Sequence, residues 1–136
     1  MAKTGKQIQG DIYGLLRGSS LFSMISGEVY RDGMRPRDSR KEDIVVVFTS
    51  GYTAQIQSGV VTVKIYVPDI DPYQNGVLTE DGERLAELEE AAQTFVEGLS
   101  APNYLFRLAD TIHTSAEEEI GQHFVVVRLR FKYGEN

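Results

Sequence analysis

The run from Gln122 to Tyr133 constrains this chain more than any other feature. Val125, Val127, Leu129, Phe131 and Tyr133 fall on one alternation, and Phe124, Val126, Arg128, Arg130 and Lys132 fall on the other. A side-chain period of two is that of a strand, and one unbroken apolar row demands a covered sheet face. Val60 to Val67 repeats the pattern, with Val61, Val63, Ile65 and Val67 opposed to Thr62, Lys64 and Tyr66. Ile44 to Ser50 is apolar on both alternations, which predicts a central strand buried on both sides.

Two helices accompany these strands. Gln7 to Ile25 carries a stripe of Ile8, Ile12, Leu15 and Leu16, with an expected break near Gly18-Ser19-Ser20. Gly10, Gly14 and Gly18 weaken this helix or, being four apart, let a partner approach one face. Glu80 to Leu99 is the clearer helix, with Leu85, Leu88, Ala92, Phe95, Val96 and Leu99 on one stripe. Thr79 or Asp81 can cap it, and Gly98 and Pro102 mark its end. Glu28 to Arg31 reads as a short strand. Ala54 to Gln57 joins the Val60 strand directly or through a bulge at Ser58-Gly59. Tyr104 to Ile112 and Gln122 to Tyr133 read as a hairpin around Glu117-Glu118-Glu119. The expected fold is α+β, in the order α-β-β-β-α-β-β, with a mixed or mainly antiparallel sheet and both helices on one face.

A length of 136 residues fits a single domain, 1–136, with a core that needs no metal or disulfide. The chain has no cysteine, which excludes thiol chemistry and cysteine-ligated metals. No run approaches the ~20 apolar residues that span a bilayer, so no membrane partner is expected and the chain reads as cytosolic when made. The net charge of -6 is uneven: residues 1–43 carry +2 and residues 44–136 carry -8. Such a division suits head-to-tail contact between subunits, or simply reflects a solvated acidic helix and a basic loop.

No catalytic residue, cofactor site or metal site is expected. His113 and His123 flank the last hairpin without a third ligand nearby. Asp69, Asp71, Asn75 and Glu80 imitate a calcium loop in spacing, but Tyr73 and Gln74 occupy the places that such a loop reserves for a ligand and for glycine, and Pro72 precedes them. Asp-Pro and Asn-Gly turn chemistry accounts for them. Glu83, Glu87 and Glu90 fall on the outer face of their helix, where a solvated role is the default. The chain is not expected to be an enzyme.

Two basic sets remain. Arg31, Arg35, Arg37, Arg40 and Lys41 sit in a loop with Gly33 and Pro36, expected to be an exposed, mobile arm at 31–43 that contacts a partner or another subunit. Arginine suits bidentate pairing with carboxylates. The loop lacks aromatics for base stacking, so sequence-specific nucleic-acid binding is not expected. Arg128, Arg130 and Lys132 form a second row, which lines a channel or is the wet side of a strand.

The order of elements, together with Gly27-Glu28-Val29-Tyr30, the Arg-Pro loop, and Glu42-Asp43-Ile44-Val45-Val46, resembles the small tail-terminator and tail-completion proteins of tailed bacteriophages and prophages. The specific residues of the resemblance lie within 27–70. The resemblance implies a structural, virion-assembly protein that forms a homo-oligomer, commonly a hexameric ring. Its implied partners are copies of itself and a tail-tube or head–tail connector protein, in the virion and in the host cytoplasm during assembly. The long final hairpin and the missing C-terminal helix depart from the simplest members, which leaves a neck or other minor tail position open. The alternative is a stand-alone module binding a peptide or small ligand, for which a deep apolar pocket would be the mark.

Overall fold

The computed structural model describes residues 2–134; Met1, Glu135 and Asn136, at the ends of the expected domain, lie outside the described residues. The elements run α1 (Gly5–Arg17), β1 (Val29–Arg31), β2 (Ile44–Tyr52), β3 (Gln57–Pro68), α2 (Gly82–Glu97), β4 (Tyr104–Leu108), β5 (His113–Glu117) and β6 (Gln122–Tyr133). Short 3-10 turns lie at Phe22–Met24 and Glu118–Ile120. The fold is α+β: the strands form one six-stranded sheet in the order β1-β2-β3-β6-β4, with β5 also on β6. β1 runs parallel to β2, and the other pairs are antiparallel.

β3 and β6 are the spine of the sheet. Each has twelve residues, and they pair from Gln57 against Tyr133 to Pro68 against Gln122. The alternation read from the sequence is the one observed. Val61, Val63, Ile65 and Val67 join Val125, Val127, Leu129, Phe131 and Tyr133 in a core that also takes Ile8, Ile12 and Leu16 from α1 and Leu85, Leu88, Ala92 and Val96 from α2. Both helices therefore cover the same face. Each fully buried Leu, Ile or Val stabilises the fold by about 1.5–3 kcal/mol relative to exposure.

Local chemistry sets the helix ends. The Thr4 hydroxyl accepts from the Gln7 backbone N–H, and the Gln7 side chain accepts from the Thr4 N–H, a reciprocal box that starts α1. The helix stops at Arg17, with Gly18 as its cap, and only a 3-10 turn follows in the stretch to Ile25. Asp81, rather than Thr79, caps α2 by accepting from the Arg84 N–H. Arg84 then holds Glu42 in a two-pronged ion pair, at 2.7 and 2.9 Å, and donates to the Met24 carbonyl. Those hydrogen bonds to Glu42 raise the affinity of Arg84 for its proton. One side chain thus ties α2 to the turn after α1 and to the entry of β2.

Two details differ from the sequence reading. Of the two readings of β3 the single strand is the one observed, but it begins at Gln57 rather than Ala54, and the irregularity lies on its neighbour β2, between Phe48 and Ser50. Gly59 sits opposite Gly51 there, and a Cβ on Gly59 would lie 2.2 Å from the Ser50 carbonyl oxygen. The chain between β4 and β6 holds an extra strand, β5, so β4 and β5 lie end to end along β6. β5 reads His-Thr-Ser-Ala-Glu, an edge strand too polar to announce itself by hydrophobic period. The Glu-rich turn closes β5 onto β6, with Gly121 left-handed at φ 65°.

Candidate interaction surface

The face of the sheet away from the helices divides in two. At the end where β6 begins, Tyr66 and Phe124 lie with ring centres 5.2 Å apart and pack with Val45, Tyr30, Val47, Ile120 and Val126. The segment 31–43 reaches this end through Arg35. The Arg35 guanidinium lies over the Tyr66 ring, its Nε donates to Asp43 at 2.9 Å, and its Nη2 donates to Gln122 at 2.8 Å. Asp43 is buried and also accepts from the Glu28 N–H and the Ser39 hydroxyl. Gln122 returns a bond to the Ser39 carbonyl at 2.8 Å. Burial pushes the Tyr66 hydroxyl up to about 12, and its hydrogen-bonded neighbour Glu117 adds to the shift.

The arm residues named from the sequence therefore separate. Arg35 points inward, with a side chain only 10% exposed. Arg40 donates to the Ile120 carbonyl at 2.7 Å, which holds the segment to the β5–β6 turn. Arg31 lies over the Tyr13 ring of α1. Arg37 and Lys41 are exposed. What reads in sequence as one basic loop is a strap with one inward anchor, Arg35, a second tie through the exposed Arg40, and a few outward charges.

The other half of this face is open and basic. Along it, Arg107 pairs with Arg130 and Leu105 with Lys132, and β3 supplies Val60 and Ser58 in the same rows. Arg128 is held by Asp110 at 2.7 Å, and Lys64 lies over the Phe124 ring. Arg107, Arg130 and Lys132 are exposed, and their side chains make no hydrogen bond or ion pair among the described residues. Like charges directly opposite on a sheet are destabilising. Arg107 and Lys64 belong to this surface and are absent from the set read from the sequence. The alternation Tyr104-Leu105-Phe106-Arg107-Leu108 carries the signal for Arg107. The arm anchors lie near Gln122 and the free cations near Arg130, eight residues along β6, roughly 27 Å apart.

β4 closes this side of the sheet as a free edge. The Gly134 N–H donates to the Asn103 carbonyl and the Ala109 N–H to the Arg128 carbonyl, which fixes the hydrogen-bond phase of the ladder. Leu105 and Arg107 face β6 with their backbone groups, and Phe106 and Leu108 turn theirs to the outer edge. Beside it an open cleft of about 630 Å³ is lined by Gln55, Ile56, Asn103, Tyr104, Leu105, Lys132 and Gly134. Its lining mixes polar and apolar groups.

His113 and His123 do not meet. His113 faces Val126 in the ladder and His123 faces Ala116. His123 instead contacts Asp69 at 2.7 Å. Asp71 accepts from the N–H groups of Asn75 and Gly76, a turn role. Among the described residues no group of three His, Asp or Glu side chains is placed to hold a metal. No helix of the described residues is long and apolar enough to cross a membrane.

No protein-family model matches the chain, and no curated protein matches it. Among the solved structures that match, one is similar over 96% of each chain, at 13% identity and a TM-score of 0.49, a likeness too distant to bear on function.

Proposed function

We propose that this chain is a non-enzymatic structural component of a bacteriophage or prophage tail, one that assembles with copies of itself into a ring, commonly six subunits, capping the tail tube or standing at the head–tail junction. The carrying observation is the division of charge across the sheet. Arg107, Arg130 and Lys132 stand free on the open face, while Glu83, Glu87, Glu90 and Glu97 are exposed on α2, which packs on the opposite face. A molecule with unlike charge on its two sides favours head-to-tail contact, which closes into a ring when the rotation per subunit allows. The free edge of β4 and the resemblance within 27–70 support the same reading.

Sedimentation and native mass spectrometry over a range of concentration and salt test it. The expected result is a closed oligomer of one size that weakens as salt rises, since exposed charge pairs are screened. A chain that stays monomeric at every concentration and ignores purified tail tubes overturns it.

A further inference from the structure

The loop between β3 and α2 carries an unusual amount of exposed apolar surface. Ile70, Tyr73, Val77 and Leu78 are 39%, 81%, 58% and 51% exposed. The loop is nevertheless built firmly. Ile70 and Thr79 exchange backbone hydrogen bonds of 2.9 and 2.8 Å across its neck. The Asp71 carboxylate accepts from the Asn75 and Gly76 N–H groups, and the Asn75 side chain accepts from the Val77 N–H. Gln74 and Gly76 take left-handed conformations at the tip, with φ of 54° and 80°. Exposed apolar groups on a pre-shaped support are the arrangement of a contact made without a large ordering cost.

The second concentration of exposed apolar side chains lies at the opposite end of the sheet. Ile56 is 57% exposed and Leu105 is 71% exposed, and both line the 630 Å³ cleft. The loop leaves β3 at Pro68, and the cleft adjoins Gln57 and Tyr133 at the other end of the same ladder. Eleven residue steps separate these ends, roughly 37 Å, so one chain cannot bring its own loop to its own cleft. A second copy can.

We infer that the 70–79 loop of one copy docks in the cleft between Ile56 and Leu105 of the next. This deepens the self-assembly reading above and rests on it. Charge favours this occupant: Glu80 and Glu83 flank the loop, and Lys132 lines the cleft beside Arg130 and Arg107. Tyr73 supplies a broad apolar body with a polar tip, suited to a cleft whose lining includes both Ile56 and Asn103. The contact is heterologous, a knob at one end and a hole at the other, as a ring requires. The loop alone is small beside the ~800 Å² per partner that a stable interface buries, and the charged faces next to it extend the contact.

The chain has no cysteine, so placed thiols report without background. Tyr73→Cys and Ile56→Cys are made separately, each on an exposed side chain, with Glu90→Cys on α2 as a control. The full-length variants are mixed in pairs and treated with a short bismaleimide. The expected result is a dimer band from Y73C with I56C that exceeds the band from either variant alone and from Y73C with E90C, and that fades when Lys132→Glu is added to the I56C partner. If sedimentation shows oligomers but the Y73C–I56C band stays at control level, the docking is overturned and self-assembly stands. If every variant and the parent chain remain monomeric, both fall.

Discussion

The Arg35 guanidinium carbon sits 4.0 Å from the centre of the Tyr66 ring, so a residue of an irregular loop is stacked on a central strand of the sheet, near its end. The same side chain neutralises Asp43, which is 1% exposed. Removing one member of a buried pair leaves the other charge without compensation, at about 3–5 kcal/mol. Arg35→Ala is expected to lower the unfolding free energy measured in urea by that amount, a large part of a typical domain's stability, and the midpoint falls with it. Arg35→Lys restores the charge but not the stack with its two forked donors, and rescues little. Arg37→Ala, on an exposed side chain, is expected to stay within about 0.5 kcal/mol of the parent. An Arg35→Ala protein that unfolds with the parent's midpoint contradicts the strap.

Alkaline pH is expected to unfold the chain through its buried phenols. Burial, with help from Glu117, raises Tyr66 to about 12, and burial, with help from the Asp11 hydrogen bond, raises Tyr104. Both groups hold their protons more tightly folded than unfolded. Their contribution is complete below the ordinary tyrosine value of about 10 and is lost as pH rises through the folded value. Thermal melts from pH 9 to 12 should show stability falling above about pH 10, and Tyr66→Phe with Tyr104→Phe should flatten that fall. A parent whose tyrosines all titrate together in ultraviolet absorbance would sink this account.

Arg107 faces Arg130 across the ladder, a pairing that costs the isolated subunit. Arg107→Glu turns it into an opposite-charge pair, worth about 0.2–1 kcal/mol. The variant is expected to melt higher as a monomer and to assemble less well. If it melts higher and assembles equally well, the basic row has no part in association.

Two glycines should respond in opposite directions to alanine. A Cβ on Gly59 would meet the Ser50 carbonyl oxygen at 2.2 Å and the Phe131 ring at 2.9 Å. Gly59→Ala is expected to cost about 1–3 kcal/mol, because backbone must shift to admit it. Gly14 lies inside α1 with nothing within 4 Å of its Cβ position, and Gly14→Ala should stabilise the fold by about 1 kcal/mol. Chemical denaturation of both variants checks the pair. A neutral Gly59→Ala would mean that β2 and β3 are more loosely joined than their register implies.

Strand and helix identity were legible wherever hydrophobic period was strong. Leu129 and Phe131 in β6, Val61 and Val63 in β3, and Leu88 and Ala92 in α2 announce their faces by spacing alone. β5 was not legible, because Thr114 and Ser115 owe their strand state to the neighbour they pair with. The basic surface was half legible: Arg128, Arg130 and Lys132 declare one row. Arg107 joins them only because β4 lies beside β6 in one register. The apolar loop at Ile70 to Leu78 reads in sequence as turn chemistry, and its exposure emerges only once the core has been filled by other residues.

By itself the sequence determined the faces of the long elements, since side-chain direction along a helix or strand follows from local geometry. It also determined which groups are charged and that no thiol is available. Which of those charges reach solvent was decided by the tertiary structure. Arg35 turned inward and Arg130 outward because one meets a buried carboxylate and an aromatic ring carried by distant segments, while the other meets a like charge across an edge strand. The energy of a charge depends on the dielectric and the partners around it, and those are properties of the assembled fold.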